Sequence, residues 1–284
     1  MQETIDTEGS SPPGVPRTPD QVGPPMLELR DVAKHFGGVH AVAGVSLQVR
    51  KGEVVALVGN NGAGKSTIIH MSSGVYPPDS GSVVVSGRAV RMRSARDARD
   101  LGIERVPQEL ALAKHLSATA NIFLGREMTR RFGPVRLLDK RAMRKRGAEL
   151  IEGFGIHIPS LAARVFDMSG GQQQGVAIAR ALAWGSQMVL LDEPTAALGV
   201  EETARVEQTI RQMRASNVAI LLVSHNLDQV FRVSDRIYVL RRGRIEGHVK
   251  TDETNESEVV ALITGVAVNN SPSGRASTIE SVPS

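Results

Sequence analysis

The stretch VVALVGNNGAGKSTIIHMSSG, residues 54–74, constrains this chain more than any other. A continuous apolar run breaks into glycine and then resumes as a helical pattern that opens on a lysine and two hydroxyls. Gly59, Gly64, Lys65 and Ser66 fit the spacing G-x-x-x-x-G-K-S between a strand and a helix. Glycine lets backbone N–H groups turn inward where a side chain would block them, and the helix start adds unpaired donors and a positive dipole end. The loop formed by Gly59, Asn60, Asn61, Gly62, Ala63, Gly64, Lys65, Ser66 and Thr67 therefore suits a polyphosphate. Lys65 reaches the β and γ oxygens as a point charge, the Ser66 hydroxyl is a hard ligand for Mg²⁺, and Thr67 adds a further donor.

Two other apolar runs carry polar groups at their ends. MVLLDEP places Asp192 after a buried strand, where it can hold Mg²⁺ through its water shell; Glu193 beside it can orient an attacking water. AILLVSHN ends in Ser224 and His225, at the strand end where open parallel sheets bind ligands. A structural role for His225 remains open on these residues alone.

Continuous apolar runs belong to strands covered on both faces, whereas MLELRDVAKHF and VAGVSLQVRKGE alternate as antiparallel strands do. Helical patterns follow the buried runs at 65–73, 201–214 and 227–232. The fold class is α/β: a mixed sheet with a parallel core and an antiparallel β subdomain. Strand signals vanish between Glu109 and Phe166, and KRAMRKRGAELIEGF has helical spacing, so a helical subdomain is expected as an insertion at about 109–170. Residues 1–25, with six prolines, and 267–284 lack apolar periodicity and read as disordered tails around one domain at 26–266.

With 284 residues, 41% of them hydrophobic, the chain can bury a substantial core, and with no cysteine it has neither disulfides nor thiolate metal sites. No apolar run approaches a bilayer span, and no secretory signal opens the chain, which points to the cytosol. Thirty-four basic against 30 acidic residues give a net charge of +4, too nearly balanced to argue for nucleic acid. The excess is local: residues 126–146 hold nine Lys or Arg against Glu127 and Asp139. That cluster reads either as a solvated helix face or as a surface near an anionic leaflet.

A second glycine-rich helix start decides between the phosphate enzymes. In DMSGGQQQGVAIARAL, Ser169, Gly170 and Gly171 precede a helix expected from Gln172 onward, and one nucleotide cannot easily use two such cradles. The S-G-G-Q core and the order of the motifs resemble the ATP-binding cassette family over about residues 27–265. The resemblance implies a P-loop NTPase fold that hydrolyses ATP with Mg²⁺. It also implies two copies packed head to tail, so that Ser169, Gly170, Gly171 and Gln172 of one cover the γ-phosphate held by Lys65 of the other.

By the same resemblance Gln108 in RVPQEL senses Mg²⁺ and water, Asp192 is the metal partner, Glu193 the base, His225 the switch, and Phe36 the aromatic that stacks on adenine. NIFLGRE and PTAALGV resemble the cassettes of monosaccharide importers, which implies a peripheral subunit on the cytoplasmic face, a transmembrane permease and an outer sugar-binding protein, without nucleic acid. A single phosphate loop implies a homodimer or a paired second cassette. Gly199 stands where many cassettes carry an aspartate, and Met168 where leucine is common. The rival of another class is a cassette acting on ribosomes or DNA; a switch GTPase would need N-K-x-D, which is absent.

Overall fold

The computed structural model describes residues 23–266. The tails expected at 1–25 and 267–284 lie outside the described residues apart from residues 23–25. Along the chain run β1 (Leu27–Phe36), β2 (Val39–Val49), β3 (Val54–Val58), α1 (Lys65–Ser72), β4 (Ser80–Val85), β5 (Arg88–Val90), α2 (Ala95–Asp100), β6 (Ile103–Val106), α3 (Ala118–Ile122), β7 (Thr129–Phe132), β8 (Val135–Leu138), α4 (Lys140–Gly153), α5 (Gly170–Leu182), β9 (Met188–Asp192), α6 (Val200–Ala215), β10 (Ala219–Val223), α7 (Leu227–Val233), β11 (Arg236–Arg241), β12 (Arg244–Lys250) and α8 (Glu256–Thr264).

The larger sheet has the order β12-β11-β3-β10-β9-β6, parallel from β11 to β6, with β12 antiparallel at one edge. Every residue of β3, β9 and β10 is buried. Both sheet faces are covered, which explains why these strands read as unbroken apolar runs. At about 1.5 to 3 kcal/mol for each fully buried Val, Leu or Ile, the three strands are a principal source of stability. The smaller sheet, β2-β1-β4-β5, is antiparallel and keeps the alternation that marked it in the sequence. Crossover helices put the carboxyl ends of β3, β10, β9 and β6 side by side, so four loops converge on one rim.

Two expectations need correction. The stretch from Glu109 to Phe166 is not free of strands: β7 and β8 form a hairpin with all eight residues exposed. A ribbon that buries neither face imposes no alternation, so its sequence gave no strand signal. Helix α5 begins at Gly170, two residues before the expected Gln172. Glycine disfavours helix, but the Ser169 hydroxyl accepts from the Gln172 N–H while the Gln172 side chain accepts from the Ser169 N–H, and this reciprocal cap sets the start.

Candidate nucleotide site

Where β3 ends, Gly59 and Gly64 take φ of 152° and 109°. A Cβ on Gly59 would strike the Leu240 carbonyl oxygen, and one on Gly64 the Ala41 carbonyl oxygen, so only glycine lets the loop lie this close to its neighbours. The Lys65 ammonium donates to the Gly59 and Asn60 carbonyls at 2.6 and 3.0 Å. Burial lowers the Lys65 pKa, and the charges of Glu193 and Asp192 pull it back up.

A cavity of about 380 Å³ opens over this loop. Asn61, Gly62, Gly64, Lys65, Ser66 and Thr67 line it from α1 and its entry, Gln108 from beyond β6, and Asp192 and Glu193 from the end of β9. Hard oxygen donors (a hydroxyl, a carboxylate and a side-chain amide) thus face a glycine cradle, a donor set that fits Mg²⁺ and a polyphosphate together. Glu193 sits at φ 50°, in the left-handed region that costs a non-glycine residue about 1 kcal/mol or more. Its N–H donates to the Val223 carbonyl at 2.9 Å. The carboxylate Oε2 lies 2.7 Å from His225 Nδ1, which donates to it, so His225 and Glu193 are joined across the ends of β10 and β9.

Two expected ligands stand apart. Phe36 does not line the cavity; it is half-exposed and packs edge-on against Tyr76 at 5.5 Å between ring centroids. Ser169, Gly171 and Gln172 border a separate, narrow crevice with Glu202 and Arg205. Gly199 precedes α6 at φ −71° with open space around its Cβ position, so nothing in the backbone excludes an aspartate there.

Sequence reasoning missed three charged neighbours. Arg105, on β6, donates to Asp192 Oδ2 at 2.7 Å; the Asp192 side chain is 8% exposed. Arg242 borders the cavity at φ 49°. Glu202, on α6, packs against the start of α5, its carboxyl carbon 3.0 Å from where a Cβ on Gly171 would stand. No local pattern announces any of them, because each partner comes from a distant element.

A family model described as ABC transporter matches residues 42–196. The chain belongs to the ABC transporter family. It is 45% identical to the xylose/arabinose import ATP-binding protein XylG of Sulfolobus acidocaldarius, over 86% of this chain and 95% of that one. It is 42% identical to the fructose import ATP-binding protein FrcA of Rhizobium meliloti, over 85% and 94%. Against the ribose import ATP-binding protein RbsA 1 of Rubrobacter xylanophilus, 41% identical, it spans 86% of itself but 48% of the relative. Among solved structures, the cassette MJ0796, in a dimeric post-hydrolysis state bound to ADP and Pi, superposes with a TM-score of 0.67 at 26% identity, over 80% of this chain and 99% of that one. This chain therefore shares the fold of an ABC cassette.

Proposed function

We propose that this chain is the ATP-hydrolysing subunit of an ABC importer and energises uptake of a sugar through a separate permease. The observation that carries this reading is the separation of two glycine-rich helix starts: Lys65, Asp192 and Glu193 share one cavity, and Ser169 lies outside it. A second cassette placed head to tail supplies the missing wall, so ATP held by one copy is covered by Ser169, Gly170 and Gly171 of the other. The names of XylG, FrcA and RbsA 1 favour a monosaccharide as the cargo.

In the closed pair the Lys65 ammonium exchanges the Gly59 and Asn60 carbonyls for β and γ phosphate oxygens. Ser66, Gln108 and Asp192 would hold Mg²⁺, which neutralises phosphate charge when bound. Glu193 accepts a proton from the attacking water; the water oxygen bonds to the γ phosphorus as the bond to the β–γ bridging oxygen breaks, giving ADP and phosphate. His225 steadies the carboxylate of Glu193, and Phe36 and Tyr76 offer a flat edge for adenine.

The helical insertion, placed at about 109–170, forms the permease side. Beside it lies a groove in which Val75, Leu124 and Trp184 are half-exposed, and Arg99, Arg126 and Arg180 outweigh the carboxylate of Glu104. Such a groove suits an apolar helix end carrying a carboxylate. No described helix is long and apolar enough to cross a membrane, and the β7–β8 hairpin favours a peripheral position. Its register puts Arg130, Phe132, Val135 and Leu137 on one face and Arg131, Arg136 and Leu138 on the other. The neighbouring carboxylates of Glu127 and Asp139 are engaged by the N–H groups of Gly125 and Ala142. With nine Lys or Arg against these two acids over residues 126–146, the local charge is positive and suits anionic lipid; binding to anionic vesicles that does not weaken with salt would contradict the electrostatic part.

Glu193→Gln tests the catalytic reading. Turnover should fall by about 10² to 10⁴ while ATP binding persists, and normal turnover would remove Glu193 from the role of base.

A further inference from the structure

The helix start that the composite site needs for a phosphate is already covered by a carboxylate of this chain. At the start of α5 the carboxyl group of Glu202, in the first turn of α6, lies over Gly170 and Gly171: its carbon would stand 3.0 Å from a Cβ on Gly171 and its Oε2 4.0 Å from one on Gly170. The approach is close: a Cβ on Gly171 would stand 2.8 Å from Glu202 Cβ and 2.9 Å from its Cγ. Ser169 Oγ accepts from the Gln172 N–H at 3.4 Å, which leaves its single hydrogen to serve an anion beside the helix start. Hydrogen bonding from the Ser169 hydroxyl foremost, then from the N–H groups of Gly171 and Gly199, holds the Glu202 carboxyl below the usual carboxylate range. An anion therefore rests where the helix start offers its donors and the positive end of its dipole.

We propose that Glu202 is an internal stand-in for the γ-phosphate: in the single chain it occupies the Ser169 and Gly171 donors, and closure of two cassettes over ATP must displace it. This rests on the two-copy reading above and adds to it a residue that sets how much ATP closure requires. Two anions cannot share one hydroxyl hydrogen, and their like charges repel at contact distance. Glu202 thus acts through Ser169 and Gly171, as a positioning residue with no part in bond cleavage. The stand-in keeps the α5 start ordered in the open state, at the cost of a threshold for closing. Gly171 has the same use in both states, since the close approach that admits Glu202 also admits a phosphate.

The experiment is ATP-driven dimerisation followed by analytical ultracentrifugation in the Glu193→Gln background, with Mg²⁺ and ATP as the probe. Adding Glu202→Gln keeps the size of the side chain and an acceptor oxygen but removes the charge. The ATP concentration for half-dimerisation should fall at least about fivefold, a change of roughly 1 kcal/mol. Glu202→Asp, which withdraws the carboxylate by one methylene, should fall in the same direction by less. If Glu202 only buttresses Ser169, both changes weaken dimerisation; that result, or no change, overturns the proposal. Should the Glu193→Gln parent itself stay monomeric in ATP, the two-copy reading fails; a dimerising parent with no gain from Glu202→Gln refutes the stand-in alone.

Discussion

The two glycine-rich helix starts of this protein look alike in sequence and differ in what surrounds them. At the start of α1 the chain assembles a lysine, two hydroxyls, two amides and two carboxylates around one cavity. At the start of α5 it offers a serine and two glycines at a crevice too narrow for a nucleotide, with its own glutamate lying over them. The first is a binding site in its own right, and the second is a set of donors for something brought from outside. Motif spacing cannot separate these cases; the neighbouring strand ends do.

Paired substitutions sharpen the contrast. Lys65→Ala should abolish both nucleotide binding, read with a fluorescent ATP analogue, and turnover. Ser169→Arg should leave binding to the isolated chain unchanged while turnover falls about 10²-fold or more, the scale of losing transition-state donors. Equal damage to binding in both would mean that the α5 start serves its own chain's nucleotide.

A smaller effect is expected at Arg105. Its pairing with Asp192 offsets the negative charge that the cavity offers to a divalent cation. Arg105→Met should lower the Mg²⁺ concentration for half-maximal Mg²⁺-dependent nucleotide binding by about threefold, a modest share of a partly buried ion pair. It should also reduce thermal stability, because Asp192 loses its partner. A lower melting temperature with an unchanged Mg²⁺ requirement would show that Arg105 only supports the fold.

Much of the fold was legible because sheet coverage writes itself into hydropathy: the unbroken runs of β3, β9 and β10 against the alternation of β1 and β2. The Lys65 loop was legible because its chemistry is local, within nine residues. The β7–β8 hairpin was not, since a ribbon with nothing to bury shows no period. The start of α5 lies two residues before Gln172 because the reciprocal cap of Ser169 and Gln172 overrides the low helix propensity of Gly170 and Gly171. Arg105 and Glu202 stayed hidden for a different reason: their significance lies in tertiary partners, Asp192 on a neighbouring strand and Ser169 on a neighbouring helix. Gly199 shows the converse, a visible departure whose backbone setting turns out to be ordinary.

The head-to-tail pair is tested most directly by ATP turnover per chain as a function of protein concentration, measured alongside sedimentation. Turnover should be negligible where the chain sediments as a monomer and should rise steeply as dimer forms. Full turnover per chain at concentrations where only monomer exists would contradict the account.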